Sequence, residues 1–339
     1  MAKTFHGGKR AVRTAANAWE RQLRATPSSA VGTTVAALLE MWQDAKRTDW
    51  QPTTIRDVRG RCARIAAELG YVRLIDLDPI QVDAWLIGMR RDGVGEGAIR
   101  GRVQTLRSAL SWGVSRRLLR SNPVSDARPR VATGRRSRRP ESDQVVALIA
   151  AATAESSRAG LALRVAAVTG ARAAEVVALR WDDLAGDRLL IGRQRHSYGG
   201  VALIREQTKT GGSRRVVLDA GTVAAIRERH AEADALVGAP TDWMLAEAGA
   251  AEPPSPRWLY DVFVRAAAVA GVPTGRNRGL VLHDLRHWAA STALKDGHDP
   301  VTVAARLGHS PEMLLRIYAQ EIDDGQVDVA ASLASRLDG

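Results

Sequence analysis

The chain has 339 residues, long enough at about 100–200 residues per domain for two domains with cores of their own, and its 45% hydrophobic and 25% charged content excludes a disordered chain or a small stapled module. Forty-nine Lys and Arg against 37 Asp and Glu give a net charge of +12, which points to a polyanionic partner, either nucleic acid or an acidic membrane surface. No apolar run of about 18 residues exists to span a bilayer, and the N-terminal MAKTFHGGKR lacks the apolar stretch of a signal peptide.

Cys62 is the only cysteine, so neither an intrachain disulfide nor a thiolate metal cluster can form, and a reducing cytoplasmic setting is expected. The charge is uneven: residues 1–140 hold 27 basic and 12 acidic side chains, and the remainder holds 22 and 25. Only five of the basic residues are lysines (Lys3, Lys9, Lys46, Lys209 and Lys295). Arginine offers a forked, permanently charged donor that suits phosphate.

Residues 1–30 read as a basic leader with a helical pattern over 11–23. Thr33 or Thr34 can cap a first helix whose apolar positions Val35, Leu38, Leu39 and Trp42 repeat at helical spacing. A second follows Pro52, with Thr53 as candidate cap, Ile55, Val58, Ile65 and Leu69 as its stripe and Gly70 as its stop. Asp78-Pro79 opens a third that ends at Gly93. A fourth spans about 98–119, with Val103, Leu106, Leu110 and Val114 along one side. Residues 31–124 are therefore expected to form a compact basic helical bundle, with Arg56, Arg59, Arg100, Arg102 and Arg107 on its outer faces as candidate DNA-binding residues.

The stretch 121–141, SNPVSDARPRVATGRRSRRPE, contains three prolines and six arginines without apolar periodicity, so 125–141 reads as an interdomain linker. It is either a solvated tether or, through Arg135, Arg136, Arg138 and Arg139, a contact crossing a nucleic-acid backbone. From 142 to 339 a second domain is expected, mostly helical with a small antiparallel sheet made of β-like runs at 189–191, 201–204 and 216–218. Helical patterns occupy 145–152, 159–168, 222–235, 256–270, 283–294, 300–307 and 312–319. The fold class is mainly α: an N-terminal basic helical bundle followed by a mixed C-terminal domain, mostly helical with a small antiparallel sheet. At 326–337 an amphipathic helix with Val327, Val329, Leu333 and Leu337 can dock on its own domain or on a neighbouring protomer.

Three segments of the second domain hold polar residues that an amphipathic helix does not need. In Thr169-Gly170-Ala171-Arg172-Ala173-Ala174-Glu175, the glycine breaks a helix and Glu175 lies one turn beyond Arg172, placed to pair with a basic group. In His283-Asp284-Leu285-Arg286-His287, an imidazole and a guanidinium three residues apart share a helix face and can converge on one oxyanion. His283 and His287 at i and i+4 also have the spacing of a metal pair, but the glutamate base is absent and Arg286 would repel a dication, so no metal is expected. His287 reads as a packing or capping residue. The third segment, Leu307-Gly308-His309-Ser310-Pro311, precedes Tyr318, whose hydroxyl can face back toward the Gly-His turn or lie in the core.

Arg172 with Glu175, His283-x-x-Arg286, Leu307-Gly308-His309 and Tyr318, in this order, resemble the catalytic signature of the tyrosine recombinases, the phage-integrase family. Gln207-Thr208-Lys209-Thr210 ahead of Arg214-Arg215-Val216-Val217-Leu218 looks like the family's lysine-bearing β-hairpin, and the resemblance extends over roughly 33–330 because the bundle is similar to the family's core-DNA-binding domain.

The resemblance implies a site-specific DNA recombinase that cuts and rejoins strands through a 3′-phosphotyrosine, with Arg172, Lys209, His283, Arg286, His309 and Tyr318 as catalytic residues and Glu175 and His287 in support. Tyr318 would be the nucleophile, Arg172 and Arg286 the phosphate donors, His283 the acceptor of the phenol proton and Lys209 the acid for the leaving oxygen. No cofactor is implied. The expected partners are double-stranded DNA and three further protomers in a homo-tetramer, with room for a host DNA-bending protein and a directionality factor, acting on DNA in a bacterial cytoplasm. A phage or mobile-element integrase is favoured, since the basic leader resembles the tail of an arm-binding domain. The alternatives are a chromosome-dimer resolvase, a strand-relaxing type IB-like topoisomerase and, from another class, a non-catalytic DNA-binding protein.

Overall fold

A computed structural model describes residues 32–127, 139–198, 201–206, 212–235, 241–275 and 279–318. The chain divides into two compact units, 1–134 and 135–339.

The first unit is helical: α1 (Val35–Lys46), α2 (Pro52–Leu69), α3 (Pro79–Arg91), α4 (Glu96–Ser115) and the short α5 (Pro123–Ala127). Local chemistry sets the starts. Thr34 Oγ1 accepts from the Ala37 amide at 3.3 Å, and Asp78 Oδ1 accepts from the Gln81 amide at 2.8 Å ahead of Pro79. The second helix begins earlier than its expected Thr53 cap, because Pro52 carries the φ of a first helical residue and pushes the cap back to Gln51. Val35, Leu38, Val58, Ile65, Leu86 and Leu106 are among the side chains that close the bundle core.

Arg102 corrects the sequence reading. Expected on an outer face, it is buried at 7% exposure, because it lies between Ile99 and Leu106 on the stripe that α4 turns inward. Its Nη1 donates to Glu68 Oε1 at 2.7 Å, while Trp85 Nε1 donates to Glu68 Oε2 at 2.6 Å, so one carboxylate braces α2, α3 and α4. Arg56 and Arg59 are exposed, and Arg100 and Arg107 are half-buried.

The second unit contains α6 (Ser142–Glu155), α7 (Ser157–Thr169), α8 (Ala173–Val176), a 3-10 turn (Trp181–Asp183), β1 (Leu184–Ala185), β2 (Arg188–Ile191), β3 (Gln194–Tyr198), β4 (Val201–Arg205) and β5 (Arg214–Val217). It continues through α9 (Ala220–Ala235), α10 (Pro256–Val269), α11 (Asp284–Lys295), α12 (Pro300–Leu307) and α13 (Pro311–Tyr318). Helix α7 is apolar on nearly every side, as a central helix must be, and buries Leu161, Leu163, Val165 and Ala166.

The strands form two antiparallel sheets instead of one. A three-stranded sheet has the order β1-β2-β5 with Leu189 opposite Val216, and β3 and β4 form a separate hairpin with Arg195 opposite Ile204. The run 201–204 thus pairs with the polar strand Gln194–Tyr198, which lacks the apolar alternation that marks a strand in sequence. Arg135, Arg136 and Arg138, Lys209 and the 326–337 segment lie outside the described residues. Among the described residues no helix is long and apolar enough to cross a membrane.

Candidate active site

The site is built where α7, α11 and α12 end or begin. Gly170 closes α7 in the left-handed conformation, φ 61°, which turns the chain so that Arg172 caps α8. Glu175, with a fully buried side chain, accepts from the Arg172 amide at 3.0 Å through Oε2 and from Arg172 Nη1 at 2.9 Å through Oε1. A third donor, Arg214 Nη2 from the first residue of β5, reaches Glu175 Oε2 at 2.8 Å. Burial alone would raise the Glu175 pKa, but the hydrogen bond and charge of Arg214, joined by those of Arg172, hold it below the usual carboxylate value.

The first turn of α11 supplies the second group. Arg286, only 2% exposed, donates from Nη1 to the Gly170 carbonyl at 2.6 Å. His283 stands at the N-cap of α11 with its outer surface open to solvent. Desolvation on its inner side and the charges of Arg286 and Arg172 lower its pKa, with Asp284 opposing, so the imidazole is neutral at pH 7. His287 packs edge-to-face on His283 with ring centroids 5.1 Å apart, and burial followed by the His283 interaction depresses its pKa to about 4.

The third element is the turn after α12. Gly308, φ 69°, ends that helix in the left-handed region and delivers His309, which is half-buried. Burial, then Arg286 and Arg172, depress the His309 pKa to about 4, and its Nδ1 is buried with no hydrogen-bond partner among the described residues. The charges of Arg172 and Arg286 thus act on both His283 and His309, His287 packs on His283, and Glu175 is bonded to Arg172.

Residues 138–324, more than half of the chain, match the phage integrase family. The chain belongs to this family. The tyrosine recombinase XerC of Xylella fastidiosa (strain M23) is 25% identical to it over 255 residues, which cover 72% of this chain and 77% of that protein. A lambda integrase dimer bound to a COC′ core site aligns at TM-score 0.66 and 20% identity, over 83% of this chain and 97% of that one. The Tn1549 transposon integrase in complex with transposon right end DNA aligns at TM-score 0.73 and 18% identity, over 91% of this chain and 100% of that one. At these identities the structural likeness is one of fold.

In this phage integrase-family chain the remaining signature positions are only partly in view. Tyr318 closes α13, and its side chain lies outside the described residues. Leu314 of α13 is fully buried against Leu307 and Ala290, which fixes that helix beside the Gly308–His309 turn. Lys209 falls between β4 and β5, outside the described residues. Arg139 is exposed, and its charge reaches His287.

Two structural residues escaped the sequence reading. Arg306 donates from Nη1 to Val217 O at 3.0 Å and from Nη2 to Val168 O at 2.9 Å, tying α12 to β5 and to the end of α7. Arg214 was legible only as a hairpin arginine, yet the period-2 rule places it on the same face of β5 as Val216, which is 1% exposed. That alternation was the available signal for an inward-facing cation.

Proposed function

We propose that this phage integrase-family protein is a site-specific DNA recombinase whose Tyr318 forms a 3′-phosphotyrosine with one DNA strand and later releases it to another. The observation that carries the reading is the convergence of Arg172, His283, Arg286 and His309 from three separated segments, with both histidines held neutral among guanidiniums.

A phosphodiester resists attack because the nucleophile approaches an anion and further charge develops on the phosphoryl oxygens. Arg172 and Arg286 would donate to the non-bridging oxygens, and neutral His309 would add an N–H. Neutral His283 accepts the phenolic proton as Tyr318 Oη bonds to phosphorus. The bond from phosphorus to the 5′ oxygen breaks, its electron pair leaves with that oxygen, and Lys209 supplies the proton that completes the 5′-hydroxyl. A 5′-hydroxyl from a second duplex then attacks the phosphotyrosine, frees Tyr318 and restores a diester, so the energy of the bond is conserved throughout.

The solved structures that carry a core site or a transposon end favour a phage or mobile-element integrase. Such an enzyme would act on DNA in the bacterial cytoplasm. A lambda integrase tetramer bound to a Holliday junction supports a four-protomer assembly, to which a DNA-bending protein and a directionality factor would be added.

The test begins with a random-sequence duplex library from which wild-type protein captures its own site as a covalent adduct. A nicked duplex carrying the selected site should then yield a denaturant-stable protein-DNA adduct in EDTA, absent in Tyr318→Phe. If wild-type protein yields no adduct, the enzymatic reading falls. Two differently marked duplexes separate exchange of ends, expected here, from relaxation of supercoils alone, the outcome for a topoisomerase.

A further inference from the structure

We propose that Arg214 is a positioning residue for strand cleavage, aiming Arg172 through Glu175 and fixing the Gly308–His309 turn through the Arg306 carbonyl. The inference rests on the reading of Arg172 and His309 as phosphate contacts.

Arg214 touches both halves of the site through one guanidinium. Its Nη2 donates to Glu175 Oε2 at 2.8 Å, and its Nε donates to Arg306 O at 2.9 Å, two residues ahead of Gly308. A Cβ built on Gly308 would stand 3.0 Å from Arg214 Nη1, so the turn lies directly on the guanidinium. The side chain is 10% exposed and the Glu175 side chain is fully buried, which leaves little freedom for either. A planar fork can hold two acceptors in fixed directions at once, whereas a lysine in its place would offer rotatable donors from a single nitrogen.

Charge balance gives the contact its consequence. Glu175 paired with Arg172 alone would cancel the charge needed at the phosphate and draw that guanidinium down onto itself. With Arg214 as second partner, two positive groups share one carboxylate, and Arg172 keeps donor capacity for a ligand. Misplacing a catalytic contact by about 1 Å can cost about 100-fold in rate even when the change lies away from the chemistry.

The experiment uses full-length protein and the nicked duplex carrying the library-selected site. Arg214→Met should slow single-turnover adduct formation about 10- to 100-fold, while affinity for the duplex, read by fluorescence anisotropy, stays within about twofold. Arg214→Lys should recover part of the rate, and in a Glu175→Gln background the Arg214→Met effect should shrink to about threefold or less. A 5′-bridging phosphorothiolate, whose sulfur departs without a proton, should not restore Arg214→Met, because the defect is in Arg172 and His309 and not in the leaving-group acid. Wild-type rates in Arg214→Met would overturn the proposal. So would parallel loss of rate, affinity and melting temperature in both Arg214 variants, which marks a purely structural role, or full rescue by the phosphorothiolate, which assigns Arg214 to Lys209 instead. Failure of wild-type protein to form any adduct would overturn it together with the recombinase reading, whereas wild-type cleavage with any of the former results removes this inference alone.

Discussion

Arg286 Nη1 donates to the carbonyl oxygen of Gly170 at 2.6 Å, joining the first turn of α11 to the last turn of α7. That carbonyl belongs to a helix C-terminus, where acceptors lack intrahelical donors and the helix dipole is negative. It therefore orients a buried guanidinium without cancelling its charge. Arg172 is oriented differently, by a carboxylate whose charge is shared with Arg214. Two routes thus lead to one condition, an arginine held rigid beside a site that remains positive.

The Gly170 contact makes Gly170→Ala informative. At φ 61° an L side chain costs about 1–2 kcal/mol, and a Cβ there would also collide with the Leu307 side chain. For a unit of this size each kcal/mol lowers the melting temperature by about 2–4 °C. The expected outcome is a lower melting temperature together with slower cleavage at temperatures where the variant is still folded, because the partner of Arg286 has moved. Thermal unfolding and single-turnover cleavage measured side by side check it, and an unchanged melting temperature would contradict it.

What could be read from the sequence was what chemistry keeps local. Asp78-Pro79, Thr34 and the Gly170 and Gly308 turns announce themselves because a cap or a left-handed turn depends on neighbouring residues. His283 and Arg286 share a face through helical spacing alone. Arg214 was not legible as a site residue, since its carboxylate partner lies 39 positions away and only the tertiary fold joins them. Arg102 misled for the opposite reason: its charge suggested the surface, while Glu68, 34 positions away, makes its burial tolerable.

Charge-preserving changes should separate positioning from mere charge. Lysine keeps the positive charge of Arg172 or Arg286 but not the planar fork, so in place of Arg172 it could not hold Glu175 and offer aligned donors to phosphate together. Arg172→Lys and Arg286→Lys are expected to lower the cleavage rate by about 100-fold, in the range seen when one preorganised donor is removed. Affinity for the selected duplex should change little, because many other contacts carry it. Loss of binding in proportion to cleavage would show that the two arginines only attach DNA.

The histidines set a direction for pH dependence. His287 and His309 have folded pKa values of about 4, below the ordinary imidazole value, so between pH 6.5 and 4 the unfolded chain binds protons that the folded chain does not. Stability should therefore be fully present above about pH 6.5 and decline as pH falls toward 4. For His287 the opposing groups are burial, His283, Arg286 and Arg139, with Asp284 favouring protonation. His287→Gln should flatten the dependence of melting temperature on pH in that window. A variant curve as steep as that of the wild type would place the acid sensitivity in other groups.

The first unit offers a separation between grip and core. Arg56 and Arg59 are exposed on α2, whereas the Arg102 side chain is 8% exposed and bonded to Glu68. Each phosphate neutralised by an arginine releases counterions and contributes about 0.9 to the slope of log affinity against log salt. Arg56→Ala and Arg59→Ala should therefore each reduce that slope by about one if the residue meets a phosphate, across DNA sequences alike. Arg102→Met should leave the slope unchanged. Its effect belongs to stability and should be a small loss, because the carboxylate it leaves without a cation is 36% exposed and keeps its Trp85 bond. Glu68→Ala does the reverse, leaving a buried guanidinium without its carboxylate, and should destabilise by about 1–3 kcal/mol. Salt titrations and thermal unfolding of the four variants decide the matter: a reduced slope in Arg102→Met would mean that α4 turns to present this side chain to DNA.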